Sequence, residues 1–399
     1  MTAYERRSSQ SLALLFALRM LGLFIVLPVF ALEVRKYPGG DDPALVGLAM
    51  GMYGLTQACL QIPYGLASDR WGRKPVMLVG LTVFVLGSVL AAMAPTLGWL
   101  AAGRGVQGAG AISAAVTALL ADQTRELVRT KAMALIGASI GLVFSLSLVL
   151  SPLLDSILGL RGLFLMTATL ALGGVAVVIW WVPAEPPRHP ARTLATVSVD
   201  LRFALMHPAL LRLNFGVFVL HAVQLAMWMA IPAMLIKAGI AKEQHWQCYL
   251  VAVLGSFVVM GATLFPLERR GHLRAVFLSA IGAIALVQLS FALLSALEPG
   301  VVMVTGMLFA FFCGFNILEA SQPSLVSKLA PAPLRGTALG VYNTLQSLGF
   351  FAGGALGGEL VKRVGVQSLF ATCAGAMVLW LWLAWPMRVP LVNKPLVKA

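Results

Sequence analysis

Twelve apolar stretches follow one another along the chain, at 12–32, 44–67, 75–94, 97–120, 132–154, 162–182, 213–236, 247–267, 275–296, 301–325, 338–360 and 367–387. Each is close to the roughly 20 residues a helix needs to cross a hydrocarbon core. Hydrocarbon offers a backbone amide no water, so each amide must be bonded within its own segment, which helices achieve. The alternation expected of barrel strands is absent. The chain therefore reads as an all-α integral membrane protein with 12 transmembrane helices. Only 11% of its 399 residues are charged, against about 25% in soluble domains, and the connections leave no room for a substantial soluble domain. The first stretch contains Arg19 and has no small-residue cleavage site before Glu33, so it is expected to stay as a helix rather than be removed as a signal peptide.

Basic residues orient these spans. With the N-terminus inside, twenty Lys and Arg fall on that side and seven on the other, while Arg19 and Arg104 lie within spans. Both termini are therefore expected in the cytoplasm. The net charge of +14 follows from this topology, with acidic headgroups of the lipid bilayer as counter-charge and no nucleic acid as partner. The four cysteines are scattered among separate spans without metal-ligand spacing and read as small buried hydrophobes. No metal and no cofactor is expected.

One connection is longer than the rest: a polar, proline-rich, basic run between Pro183 and Pro208. It divides the chain into an N-terminal six-helix bundle (1–182), a cytoplasmic linker (183–210) and a C-terminal six-helix bundle (211–399). Weak echoes suggest a duplication. DRWGRK (69–74) aligns with ERRGHL (268–273), and RTKAMAL (129–135) with RGTALGV (335–341). Two pseudo-symmetric halves are expected.

The tip between the second and third spans, PYGLASDRWGRK (63–74), packs Asp69, Arg70, Arg73 and Lys74 around Gly72. A plain positive-inside loop explains the basic residues but neither the aspartate nor the glycines at 65 and 72. The spacing G-x-x-x-D-R-x-G-R-K resembles the signature loop of the major facilitator superfamily (MFS). RGVQGAG (104–110), with Arg104, Gln107 and Gly108, is similar to that family's fourth-helix R-x-x-Q-G pattern. The stretches 18–30, 119–144 and 317–331 resemble its YajR-type, drug:proton antiporter-like branch.

This resemblance implies the MFS fold and a secondary active transporter working by alternating access, monomeric, in a bacterial inner membrane. It implies a small, partly hydrophobic substrate exported against protons. Branch members commonly carry a small soluble domain after the last helix; the sequence reaches Ala399 without one, and a transporter lacking it is expected. Gly65, Asp69, Arg70, Gly72, Arg73 and Asp122 are implied as a cytoplasmic gate. Within it Asp69, Arg73 and Asp122 form a charge cluster that faces the start of the eleventh helix while the halves are closed on that side. A carboxylate there gains about 0.3–1 kcal/mol from the helix dipole. Arg104 reads as a brace for helix packing. The fifth helix departs from the antiporter G-x-x-x-G-P cluster, since Gly137 and Gly141 stand apart from Ser151 and Pro152. A facilitator or importer of a small metabolite stays open as the alternative.

Ionisable residues inside spans point to a site, because Arg or Asp at a helix centre costs about 2.5–3.5 kcal/mol unless paired or hydrated. Arg19, His221 and Glu319 each lie about six to eight residues from the cytoplasmic end of their spans, a shared depth of roughly 9–12 Å. Phe312, Asn316, Glu319 and Pro323 share one face of the tenth helix, and His221, Gln224 and Trp228 one face of the seventh. Tyr53, Gln57, Gln61 and Tyr64 line the second, and Tyr342, Asn343, Gln346 and Phe350 the eleventh. The expected proton and substrate cavity is Arg19, Tyr53, Gln57, His221, Gln224, Asn316, Glu319 and Gln346. Glu319 is the first candidate for protonation. Arg19 is its counter-cation, a permanent structural partner, or a seat for an anionic group. GRGVQG (103–108), GASIG (137–141) and GFFAGGALGG (349–358) lie within spans and read as close-packing glycines rather than enzyme motifs. No catalytic residue is assigned, and an intramembrane enzyme or a sensor is the less favoured alternative.

Overall fold

A computed structural model describes residues 1–185, 194–297, 299–331 and 334–387. The middle of the expected linker (186–193) and the basic tail (388–399) lie outside the described residues. Among those described there is no strand. The α-helices are α1 (Ala3–Phe24), α2 (Leu27–Glu33), α3 (Pro43–Trp71), α4 (Arg73–Ala92), α5 (Leu97–Ala109), α6 (Ser113–Asp122), α7 (Glu126–Ala176), α8 (Leu194–Met206), α9 (Pro208–Met227), α10 (Ile231–Lys237), α11 (His245–Arg269), α12 (Leu273–Leu294), α13 (Val301–Leu329), α14 (Arg335–Val364) and α15 (Val366–Ala384).

Among the described residues, ten stretches are long and apolar enough to cross a membrane. One of them holds two crossings. α7 has 51 residues, which would reach about 76 Å if straight, against a hydrocarbon core of about 30 Å. Gly159, at φ 62° and ψ 177°, breaks it in two. The 30-residue α14, whose glycines dilute its apolar character, supplies the remaining crossing. Twelve crossings result. We call the face that holds the start of α1 the near face and the opposite one the far face.

Three crossings are interrupted midway: α1 passes to α2 at Ile25 and Val26, α5 to α6 at Gly110 to Ile112, and α9 to α10 at Trp228 to Ala230. α2 and α10 are both seven residues long and both carry proline in the first turn, at Pro28 and Pro232. A helix start tolerates proline because its missing N–H has no intrahelical partner there. The first and seventh crossings are thus broken alike.

The helices run well past the apolar stretches, because their polar ends extend beyond hydrocarbon. α1 begins at Ala3 and α13 ends at Leu329. Arg19, His221 and Glu319 therefore lie about 24, 20 and 15 Å along their helices from the near ends of α1, α9 and α13.

The seam between α3 and α14 sets the shape. Gly47, Gly51 and Gly54 of α3 meet Gly354, Phe351 and Ser347 of α14 so closely that a Cβ on Gly51 would stand 2.8 Å from the Phe351 carbonyl oxygen. Other α14 glycines, Gly349 and Gly353, take the backbone of α9 at Phe218 and Ala222. These contacts lie in the far half of α14. At its near end a Cβ on Gly336 or Gly340 would meet nothing within 4 Å. The helices close toward the far face and part toward the near face.

Other glycines differ from expectation. Gly103 and Gly108 do pack tightly, against Ala91 and Tyr53. Gly137 and Gly141 face open space, and Gly65 reaches Ala114 only at an ordinary 3.6 Å. The expected close packing is absent at Gly137 and Gly141, whose Cβ positions meet nothing.

Adding a side chain to the seam should force it open. Overpacking costs about 1–3 kcal/mol, so Gly354→Leu is expected to lower the far-closed population about 5- to 150-fold. Spin labels at exposed positions 35 and 237, on a background with the four cysteines replaced by serine, should report the longer far-face distance.

Candidate functional site

The break between α5 and α6 frees the Gly110 carbonyl from helical bonding, and Arg19 of α1 fills the gap. Its Nη2 donates to Gly110 O at 3.3 Å, to the Tyr53 hydroxyl at 2.7 Å and to Gln57 Oε1 at 3.0 Å, while Nη1 donates to Ser113 Oγ at 3.0 Å. Arg19 is 1% exposed. Every partner is neutral, and no carboxylate among the described residues pairs with it. Of the alternatives open for Arg19, a pairing with Glu319 does not occur in this structure, because Arg19 is held by acceptors on α3 and at the α5–α6 break.

Arg104 is also buried. It donates to Gln107 Oε1 at 2.7 Å, Gln107 Nε2 donates to Ser88 Oγ at 2.8 Å, and the Arg104 guanidinium lies 5.2 Å from the Tyr53 ring centroid. Gly108 rests against the Tyr53 backbone. This group ties α5 to α4 and α3.

Glu319 of α13 finds a different partner. Its Oε2 lies 3.3 Å from His221 Nε2 on α9, and Gln346 Nε2 of α14 lies 2.7 Å from the same nitrogen. His221 Nδ1 lies 2.9 Å from the Val217 carbonyl. A carbonyl only accepts, so Nδ1 carries a proton and Nε2 is the nitrogen free to gain or lose one. The carboxylate of α13 thus points at α9 and α14, into the protein. Phe315 and Phe350 flank the imidazole, with ring centroids at 6.0 and 5.0 Å.

The two groups are joined through consecutive residues of α14. Gln346 meets His221, and Ser347 accepts from Gln57 Nε2 at 2.9 Å. Gln57 in turn accepts from Arg19. Of the eight cavity candidates, Arg19, Tyr53 and Gln57 form one cluster and His221, Glu319 and Gln346 another. Asn316 turns away and donates to Ser256 Oγ of α11 at 2.8 Å. Gln224 lies one turn beyond His221, in the interior.

At the near face Arg73 pairs with Asp69 and, through Nε at 3.2 Å, with Asp122. Gly72, at φ 105°, makes the turn between α3 and α4, a conformation natural to glycine. Arg70 is exposed at the tip. α14 begins at Arg335, so Gly336 lies inside its first turn. Sequence reasoning missed Glu185. Its two oxygens accept from the first amides of α4, Arg73 N at 3.1 Å and Lys74 N at 2.6 Å. A carboxylate is favoured at a helix start, and the one acidic side chain beside the linker's prolines was the available signal.

The far-face seal was missed too. Lys242, between α10 and α11, reaches Glu33 Oε1 at 2.5 Å and Asp155 Oδ2 at 2.7 Å, and Lys36 also bonds Glu33. Lys362 of α14 bonds Asp42 at 2.8 Å. Below them Phe144 of α7 meets Phe312 and Phe315 of α13, with centroids at 6.2 and 5.8 Å. Ion pairs and an aromatic layer thus separate the His221 region from the far face. Each residue sits at a span end, where a charge reads as ordinary.

Residues 12–354 match the family model described as Major Facilitator Superfamily. The inner membrane transport protein YajR of Escherichia coli (strain K12) is 42% identical over 98% of this chain and 85% of its own length. The class G tetracycline resistance protein of Vibrio anguillarum is 26% identical over 98% of each. Among solved structures, a D-xylose-proton symporter superposes with a TM-score of 0.76 over 98% of this chain and 99% of its own, at 14% identity.

Removing Lys242 leaves Asp155 without its cation and Glu33 with Lys36 alone, and breaking a buried pair from one side costs about 3–5 kcal/mol. Lys242→Ala is expected to convert most molecules to a far-open form, read with the labels at 35 and 237. Acid should act in the same direction. The Lys362 ammonium and the Ala44 amide hold the Asp42 carboxyl below its ordinary range. Its contribution to closure is full at neutral pH and fades as pH falls through that lowered range, so the far-face distance should lengthen under strong acid and not under alkali.

Proposed function

The chain belongs to the Major Facilitator Superfamily of membrane transporters, and from that premise we propose that it exports a small, partly hydrophobic molecule in exchange for protons. In this reading both termini and the near face lie in the cytoplasm of a bacterial inner membrane, and the parted near halves form the cargo entry. The twenty-to-seven bias of basic residues supports that orientation.

The observation that carries the reading is the approach of Glu319 Oε2 to His221 Nε2 at 3.3 Å inside the bundle. With Nε2 bare, it accepts from the Gln346 amide and leaves Glu319 Oε2 without a donor among the described residues. With Nε2 protonated, it donates to Glu319, and Gln346 must turn its carbonyl inward or withdraw. One proton therefore changes the contact among α9, α13 and α14. Because Ser347 is the next residue on α14 and takes the Gln57 amide, that change is applied directly at the seam with α3. A ligand shifts a conformational equilibrium only by its differential affinity for the two states, and a proton held at this pair meets that requirement.

Arg19, Tyr53 and Gln57 then act as the polar anchor on the other side of the cavity. The Asp69–Arg73–Asp122 cluster acts as the latch that meets the start of α14 when the near face closes. The name of the tetracycline resistance relative makes tetracycline the first cargo to try.

Everted vesicles with an acidic lumen should accumulate the cargo found by thermal-shift screening of tetracycline, other antibiotics, sugars, organic acids and amines. Glu319→Gln is expected to reduce accumulation at least tenfold while leaving downhill exchange within about twofold of wild type. Unchanged accumulation in that variant removes the proton role, and flux that is only ever downhill in wild type favours a facilitator.

A further inference from the structure

The second half carries its own version of the charged tip, with a different balance of charge. ERRGHL (268–273) joins α11 to α12 where DRWGRK joins α3 to α4, and Gly271, at φ 82°, turns the chain as Gly72 does. In the first half Arg73 is matched by Asp69 and Asp122. In the second, the single acid Glu268 is taken by Lys328 of α13 at 3.0 Å. Arg269, Arg270 and Arg274 are exposed, and none of them has a carboxylate partner among the described residues.

The neighbouring crossing differs in the same sense. In the first half Lys74 Nζ donates to Val182 O at 2.8 Å, at the end of the sixth crossing, and Glu185 just beyond accepts from the Lys74 amide. In the second, Arg274 donates through Nε to Met387 O at 3.1 Å and through Nη2 to Trp385 O, at the end of α15. Its guanidinium lies 5.7 Å from the Trp385 ring centroid. Residues 388–399 then contain Arg388, Lys394 and Lys398 and no acid. The first half supplies its own carboxylate and the second does not.

Arg274 is held in place yet has donors to spare. A guanidinium carries five N–H donors; two are spent on carbonyls, and both on Nη1 remain. Beside it an apolar stripe runs down the outside of the bundle. Val378, Trp382 and Trp385 share one face at the end of the last crossing and are 55%, 70% and 62% exposed. The adjoining edge of α12 is small. Ala275 and Ser279 are exposed, and at Gly282, on the same face, a Cβ would stand 3.9 Å from Leu381 of α15. Behind them buried Trp380 packs on Phe277, with ring centroids 6.0 Å apart. Tryptophan gathers at the level of lipid headgroups, so Arg274 stands at that level, at the head of a shallow apolar groove.

We infer that the α11–α12 tip binds the phosphodiester headgroup of an anionic phospholipid. Arg274 takes the phosphate oxygens, which its planar fork matches better than an ammonium would, and Arg269 and Arg270 add positive potential from across the Gly271 turn. An acyl chain lies against Val378 and Trp382, beside Ala275 and Ser279. A soluble phosphate would meet the charge and leave that stripe uncovered, which favours the lipid. The lipid thus brings to the second half the negative charge that Glu185 brings to the first. The site lies on the rim of the C-terminal half, apart from the His221–Glu319 pair, and is the same whichever way cargo moves.

Native mass spectrometry of the purified full chain, titrated with phosphatidylglycerol or with phosphatidylcholine of the same acyl chains, tests the site. Phosphatidylglycerol is expected to bind at least fivefold tighter. Arg274→Gln should weaken it about fivefold, and Arg269→Gln with Arg270→Gln, which leaves the carbonyl bonds of Arg274 intact, at least as much. Neither variant should alter phosphatidylcholine binding. Arg363→Gln, which removes an exposed arginine paired with Glu359 on the far face, should change nothing. Phosphatidylglycerol with a diazirine in its acyl chain, added to half saturation, should crosslink within 273–282 or 378–387. Equal affinity for the two lipids overturns the inference, as does a preference that survives both variants or crosslinking confined to other helices. Inorganic phosphate that displaces the lipid at equal concentration would assign the arginines to a soluble anion and overturn it too.

Discussion

Hydrocarbon supplies no hydrogen bonds, so wherever a membrane helix breaks, the freed backbone must be met by protein or water. Each break in this chain has accordingly become a polar junction. The gap between α5 and α6 exposes the Gly110 carbonyl, and Arg19 is anchored there. The gap between α9 and α10 carries Trp228 on the polar face of α9. The short α2 that follows the first break ends at Glu33, where Lys242 crosses to it. Arg19, costly to bury, is held by the Tyr53, Gln57 and Ser113 side chains together with the carbonyl at this interruption.

The second requirement is a surface on which two helices can meet and part. The glycines of α3 and α14 bring backbones into contact, which gives dispersion without side chains to rearrange. Such a seam is easily separated and re-formed, and its far half is closed while its near half stands open. Gln346 and Ser347 place the His221–Glu319 pair and the Arg19 cluster on the two sides of one turn of α14. Chemistry in one cluster is therefore mechanically adjacent to the other, with no long pathway to invoke.

Much of the fold was legible because hydrocarbon imposes one solution per apolar stretch. The twelve crossings and the charged tip at 63–74 could be read from residue type and length alone. The site was legible only as a roster. His221, Glu319 and Gln346 stood out as polar groups in apolar helices, yet the partner of Arg19 stayed open among alternatives. Sequence spacing gives the face of a helix but not its rotation against a neighbour, and Arg19 was captured by a break that apolar periodicity does not mark.

The sequence by itself determined that this chain crosses a membrane many times as helices, which polar residues interrupt its apolar stretches, and which family signature it bears. Those follow from transfer free energies, which are properties of each segment. Only tertiary structure decided that Glu319 answers to His221, that Lys242 closes the far face onto Glu33 and Asp155, and that α3 and α14 part at one end alone. Those are pair distances between segments remote in the chain, and no local propensity encodes them.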